Sequence, residues 1–280
     1  MDFVLQPIIR ILPIWLRNAM SKEQLEQTLE LRLRAGQAVE VVSRDGSRWL
    51  QRTVTEEDLR FSINMASKYS PWTVSSIYDG FITIEGGHRL GISCSWKTEE
   101  SGRISIGKVM SICIRVAKDY RNISRELYQL HESLLIIGKP GSGKTTLLRD
   151  LIRQISSRCE GSICVVDERK ELFPMSGDAM CFAPGPRTDI LSGCPKRKGV
   201  EIAIRCMGPK TVAVDEITTA DDCAALLEAS WCGVDILATA HASCTDDLAM
   251  RSVYKPLLNC GVFHNIVVMK EDKSWSFERM

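Results

Sequence analysis

From residue 133 to residue 157 the chain reads SLLIIGKPGSGKTTLLRDLIRQISS: an apolar run, a turn with three glycines in six positions, a lysine–threonine pair and a helical stretch. Gly138, Gly143, Lys144 and Thr145 meet the pattern G-x-x-x-x-G-K-[ST], with Lys139, Pro140, Gly141 and Ser142 between them and Thr146 following. Glycines let the backbone turn its N–H groups inward, and the N-terminus of the next helix adds positive potential, so the segment suits phosphate oxygens. In such a loop the lysine reaches the β- and γ-phosphates of ATP, while the hydroxyl after it ligates Mg²⁺. A chance match in a chain of this length has a probability on the order of one percent.

A phosphate loop needs a second acidic strand end to complete a Mg²⁺ site. The run TVAVDEI supplies one, because Val212, Ala213 and Val214 stop at Asp215 and Glu216, some seventy residues after the loop. Asp215 is the candidate for indirect Mg²⁺ coordination, and Glu216 the candidate that orients and activates water. The bland alternative for such a pair is an ordinary helix cap. Two more runs end in the same way, CVVDERKEL at Asp167, Glu168 and Arg169, and DILATAH at Thr239 and His241. Strands ending in polar groups on one sheet edge would surround a single nucleotide. His241 is read as a γ-phosphate sensor, against a satisfied buried histidine. A guanidinium against the developing charge is expected too, often from a neighbouring subunit. Arg187 and Arg205 are the favoured candidates, with Arg169, Arg89, Arg103 and Arg115 behind them.

The chain changes texture near residue 125. Residues 1–125 begin with the apolar segment MDFVLQPIIRILPIWLRNAM, continue with a helical stretch around SKEQLEQTLELRLR, and then give β-rich runs such as AVEVVS, FITIEGGHRLGISCSW and RISIGKVMSICIRVA. That reads as an α+β domain for oligomerisation or partner contact. In 126–280, apolar strands alternate with helices through SLLIIG, KTTLLRDLIRQISS, SICVVDE, GVEIAIRCM, TVAVDE, ADDCAALLEASW, VDILATAH, TDDLAMRSVYKPLLN and NIVVMK. Such a pattern belongs to an α/β fold with a parallel sheet covered on both faces. Asp2, Pro7, Arg10 and Pro13 argue against a secretory signal at the start. Ile8, Ile9, Ile11, Leu12, Trp15 and Leu16 are expected to pack on their own domain, with a membrane or partner-helix docking face as the alternative.

Eleven scattered cysteines with no C-x-x-C pair fit free thiols in a reducing cytosol better than a disulfide framework, and His88, His131, His241 and His264 do not join them at zinc spacings. A net charge of +1 shows no electrostatic footprint for nucleic acid, and the basic cluster Lys196-Arg197-Lys198 reads as a loop or interface charge.

Taken together, GKPGSGKTT, VVDERKEL, PRTDILSGCPK, AVDEI and ATAHA, preceded by ELRLRAGQAVEV and GFITIEGGHRLGIS, resemble the stage III sporulation AA family, relatives of the type II and type IV secretion ATPases. The resemblance implies a RecA-like ATPase core over 126–280. It also implies a homo-hexameric ring in the mother cell, peripheral to the membrane facing the forespore, energising a secretion-like channel with a membrane-associated AB protein as partner. Gly138 to Thr145 match the phosphate loop of those ATPases, Asp167 and Glu168 the aspartate box, Asp215 and Glu216 the second acidic motif, and His241 the histidine box. Secretion ATPases tend to place proline after the acidic pair where this chain has Arg169, which leaves Glu216, Asp167 and Glu168 all open as the group that activates water. The rival readings are a RecA-like nucleic-acid motor and a scaffold that binds ATP for assembly.

Overall fold

A computed structural model describes all residues except Met1, Arg44, 69–79, 99–103, 129–131, 177, 178 and Met280. His131 and Arg103 therefore lie outside the described residues. The chain divides into two compact units, one of Met1–Lys118 with Met175–Cys181, the other of Asp119–Pro174 with Phe182–Met280.

The first unit is built on a six-stranded antiparallel sheet in the order β3-β2-β1-β6-β5-β4. The strands are β1 (Thr28–Arg34), β2 (Ala38–Ser43), β3 (Gly46–Thr53), β4 (Phe81–Ile84), β5 (His88–Thr98) and β6 (Ile104–Arg115). Helices α1 (Asp2–Ile11), α2 (Ile14–Ala19), α3 (Lys22–Gln27) and α4 (Glu56–Ala66) complete it, with a short antiparallel pair, β9 (Met175–Ser176) and β10 (Ala179–Met180), contributed from later in the chain. Ile8, Ile11, Leu12 and Leu16 are buried in one core with Leu31, Leu33, Leu90, Ile112 and Ile114, and Ile9 and Trp15 pack against that core half-buried. The opening apolar face is thus used within its own unit.

The stretch SKEQLEQTLELRLR corrects the helical expectation over its second half. Ser21 and Gln24 form a reciprocal capping box that starts α3, yet the helix stops at Gln27 and β1 begins at Thr28. Leu31 and Leu33 alternate with Glu30, Arg32 and Arg34, and this period of two buries the leucines on one sheet face while the charges pair outside, Arg32 with Glu30 at 2.7 Å and Arg34 with Glu40 at 2.8 Å. Between β4 and β5, Gly86 and Gly87 sit at φ +83° and +78°, a left-handed pair that glycine adopts without a steric penalty. Next to them the buried His88 accepts the Ala117 N–H on Nδ1 at 2.9 Å.

The second unit has a seven-stranded sheet in the order β11-β8-β12-β13-β7-β14-β15. Here β7 is Leu134–Gly138, β8 Ile163–Asp167, β11 Thr188–Ser192, β12 Thr211–Ile217, β13 Asp235–Ala240, β14 Asn265–Met269 and β15 Trp275–Arg279. All pairings are parallel except that of β15 with β14. Every residue of β7, β8 and β14 is buried, which is why these strands read as continuous apolar runs. Helices α5 (Lys144–Arg158), α6 (Lys196–Ile202), α7 (Ala220–Trp231), α8 (Thr245–Met250) and α9 (Lys255–Asn259) lie between the strands in sequence. Parallel pairing puts the C-terminal ends of β7, β13, β12 and β8 on one edge, where Gly138, His241, Asp215 and Asp167 emerge side by side.

A buried polar knot fastens the start of this unit to α5. Asp150, with no exposed surface, accepts the Asn122 and Ser124 N–H groups at 3.0 and 2.9 Å and the Ser124 hydroxyl at 2.8 Å, and pairs with Arg153 at 3.4 Å. Arg153 also reaches Asp119 at 2.5 Å and the Ala183 carbonyl at 2.9 Å. Removing the carboxylate strands two amides and a buried hydroxyl and takes one of its partners from Arg153. Asp150→Ala should therefore lower the free energy of unfolding by about 3 kcal/mol. Chemical denaturation checks this, and a loss within about 0.5 kcal/mol, as at an ordinary surface site, would contradict the knot's role.

Candidate nucleotide-binding site

The loop from Gly138 to Thr146 wraps the end of β7 and the start of α5. A side chain on Gly138 would stand 2.6 Å from Ser142 Oγ and 2.9 Å from Cβ of Met269, its partner on β14, so the approach of loop and strand requires glycine. Gly143 takes φ +103° and begins α5 with no side-chain cap. The first-turn N–H groups of a 15-residue helix are thereby left for an anion. Ser142 Oγ is buried in the same loop with no hydrogen-bond partner among the described residues. An uncapped helix start, an unpaired buried hydroxyl and a turn with no room for a Cβ fit a phosphate group.

Lys144 is only 6% exposed. Its Nζ donates to the carbonyls of Gly138 at 2.9 Å and Lys139 at 3.1 Å and lies 3.0 Å from His241 Nδ1. Burial pushes its pKa down, opposed by the Asp215 and Glu216 carboxylates. Thr145 Oγ1 donates to Asp215 Oδ2 at 2.9 Å, and Thr239 Oγ1 donates to Asp215 Oδ1 at 2.7 Å. Burial pushes the Asp215 carboxyl up, while these two hydroxyls pull it down. Thr239 in turn accepts the Glu216 N–H at 2.8 Å. Glu216 has φ +51° at an irregularity of β12 between Val214 and Ile217, a backbone state few non-glycine residues adopt and one that often marks functional sites. Its Oε1 lies 3.2 Å from His241 Nε2, and its Oε2 accepts from Arg169 at 2.5 Å. With Nδ1 facing the Lys144 ammonium, the tautomer that satisfies both sides of the imidazole carries its proton on Nε2.

These groups line a cleft of about 380 Å³ formed by Pro140, Gly141, Gly143, Lys144, Thr145, Thr146, Glu171, Asp215, Glu216, Thr239 and His241. Thr145 and Asp215, one hydroxyl and one carboxylate in contact, fit the protein's share of a Mg²⁺ site whose other ligands are phosphate oxygens and water.

Asp167 and Glu168 do not line the cleft. Asp167 is 1% exposed and accepts the N–H groups of Glu171 and Phe173, both at 2.8 Å, so it shapes the loop after β8. Glu168 pairs with Lys196 at 3.0 Å, and Lys196 also meets Asp222 at 3.3 Å. The basic cluster is therefore split: Lys196 is 6% exposed, whereas Arg197 and Lys198 stay on the surface beside Glu228 and Glu201. Arg187 donates to the Ser156 and Cys159 carbonyls at the far end of α5, roughly 20 Å along the helix from the loop. Arg205, on the π-helical turn Ala203–Met207, pairs with Glu201 at 2.8 Å. Neither arginine reaches the cleft of its own chain. In the first unit Arg89 stacks 4.0 Å from the Phe81 ring, and Arg115 meets Glu30 at 3.4 Å.

Glu171 is the cleft residue that the sequence did not single out. Its signal was an acid four positions after Asp167, hidden because the chain turns back there. Arg149 fixes that turn by donating to the Glu171 and Leu172 carbonyls at 2.7 and 2.6 Å. The hairpin after β14 secures the phosphate loop from the other side, through Lys139–Glu271 at 2.8 Å and a hydrogen bond from Lys273 to the Gly141 carbonyl.

Among solved structures, the chain is similar to the ATPase DotB of Legionella pneumophila, with a TM-score of 0.64 at 17% identity over 96% of this chain and 80% of that one. It is also similar to the pilus retraction motor PilT with bound ADP, with a TM-score of 0.61 at 15% identity over 89% and 76%. The fold is that of the P-loop secretion ATPases, consistent with a RecA-like core. The sequence profile described as "Sporulation stage III, protein AA" matches residues 5–276. The chain is also 36% identical over 263 residues to Stage III sporulation protein AA of Bacillus subtilis, covering 89% of this chain and 86% of that protein. It belongs to the stage III sporulation protein AA family.

The raised pKa of Asp215 carries a sign. Between its ordinary value of 3.8 and its higher folded value, the folded chain holds a proton that the unfolded chain has lost, so stability falls as pH rises through that window. Asp215→Asn removes the penalty. The variant without nucleotide should melt above the parent at pH 7, with the gap closing as the pH is lowered toward 3.8. A thermal melt series tests this; a variant that melts lower at pH 7 would show that the carboxylate stabilises the fold.

Proposed function

We propose that this chain binds ATP with Mg²⁺ in the cleft and hydrolyses it, as the subunit of a homo-hexameric secretion-type motor. In this reading it works in the mother cell, peripheral to the membrane facing the forespore, and energises a channel with a membrane-associated AB sporulation protein as partner. Nothing in the charge or the cleft favours nucleic acid as the substrate. The observation that carries the reading is the contact of Thr145 with Asp215, which joins the phosphate loop to the acidic end of β12 beside Lys144. The likeness in fold to the ATPase DotB and to the motor PilT with bound ADP supports it.

Backbone N–H groups from Gly138 to Thr146 hold the phosphates, and Lys144 exchanges its loop carbonyls for phosphate oxygens. When bound, Mg²⁺ neutralises charge on those oxygens, with Thr145 and Asp215 as its protein partners. Glu216 orients water for in-line attack on the γ-phosphate and takes its proton. His241, holding its own proton on Nε2 against Glu216, senses the terminal phosphate through Nδ1 and Lys144. Glu171 is the second carboxylate facing the water, while Asp167 and Glu168 serve the loop. A neighbouring subunit supplies the arginine that completes the site.

Phosphate release by the purified chain tests the chemistry. Glu216→Gln should lower turnover by roughly 10²- to 10⁴-fold while ATP still binds, and Lys144→Ala should weaken ATP binding itself. Glu171→Gln should cost less than Glu216→Gln; the reverse order would assign the proton to Glu171. Turnover that survives Glu216→Gln at the parent rate, or that appears only when single-stranded DNA is added, contradicts the reading. Light scattering with a nonhydrolysable ATP analogue should give a hexamer, and a monomer in every condition would remove the ring.

A further inference from the structure

We propose that Arg169 is a positioning residue for Glu216, acting within its own chain; this rests on the reading of Glu216 as the group that activates water. Both oxygens of Glu216 are engaged, Oε2 by Arg169 at 2.5 Å and Oε1 by His241 at 3.2 Å, while its N–H is held by Thr239. A glutamate has three rotatable bonds, and a base of this kind works only when its carboxylate is aligned with the water. Thr239 and the left-handed backbone fix where the side chain starts. Arg169 and His241 fix where it ends.

Arg169 is itself aimed by a rigid loop. Asp167 accepts from the backbone at Glu171 and Phe173, Arg149 donates to two carbonyls of the same turn, and the Lys170 N–H closes back on the Asp167 carbonyl at 3.2 Å with Lys170 at φ +56°. Four side-chain hydrogen bonds thus hold the backbone on which Arg169 stands. The aspartate and Arg149 are buried, so the loop is anchored in the core while the arginine extends to the Glu216 carboxylate. The Arg169 side chain is 54% exposed, and an ion pair this open adds little to stability. What it supplies is orientation.

Arg169→Ala should lower kcat by roughly ten- to hundredfold, with KM for ATP, affinity for a nonhydrolysable analogue and melting temperature unchanged. Arg169→Lys should recover part of the loss, since an ammonium can still reach Oε2 without the planar fork. In single-turnover assays Arg169→Ala should have no further effect on a Glu216→Gln background, because the group it orients has lost its function. An unchanged or raised kcat in Arg169→Ala, a loss carried by KM, or the same loss in both backgrounds would overturn the proposal. Normal turnover in the parent with an indifferent Arg169→Ala removes this assignment alone. An inactive parent removes the hydrolysis reading and this assignment with it.

Discussion

The buried ammonium of Lys144, folded onto the carbonyls of its own loop, sets the terms for everything around it. A charge at this depth is stable only with hydrogen bonds and nearby carboxylates, and both are present: the carbonyls of Gly138 and Lys139 within 3.1 Å, and the field of Asp215 and Glu216. The loop supplies those carbonyls because Gly138 lies against Met269 with no space for a side chain. The carboxylates are there because parallel pairing brings the end of β12 to the same edge as β7. One charge therefore ties the glycine spacing, the strand order and the acidic strand ends into a single arrangement.

Environment divides the five acids of this edge among different tasks. Asp167 is sealed by two backbone amides and Glu168 pairs with a buried lysine, whereas Asp215, held by two hydroxyls, lines the cleft together with Glu171 and Glu216. Their residue types are alike, so the difference is one of geometry. A short aspartate ending a strand reaches N–H groups four and six residues on, while a longer glutamate on a turned-out backbone faces the opening.

How much of this was legible follows from how local each signal is. The phosphate loop could be read because its glycines, lysine and threonine act through fixed spacing. The parallel sheet could be read because strands covered on both faces must be apolar throughout. The direction of each acid could not, since it depends on where the chain turns after the strand: the φ of +51° at Glu216 has no glycine to announce it. Arg187 and Arg205 matched the expected residue type, yet the carbonyls ending α5 and the neighbouring Glu201 hold them in this chain. In TLELRLR a helix-forming composition gave way to a period of two, because burial of Leu31 and Leu33 outweighs intrinsic propensity.

The most direct measurement is a crystal structure with Mg²⁺ and a nonhydrolysable ATP analogue at millimolar concentration. Lys144 Nζ should be drawn off the Gly138 and Lys139 carbonyls onto phosphate oxygens, with Thr145 and Asp215 at the metal. An analogue bound elsewhere, or a lysine still on its own carbonyls beside an empty cleft, would contradict it.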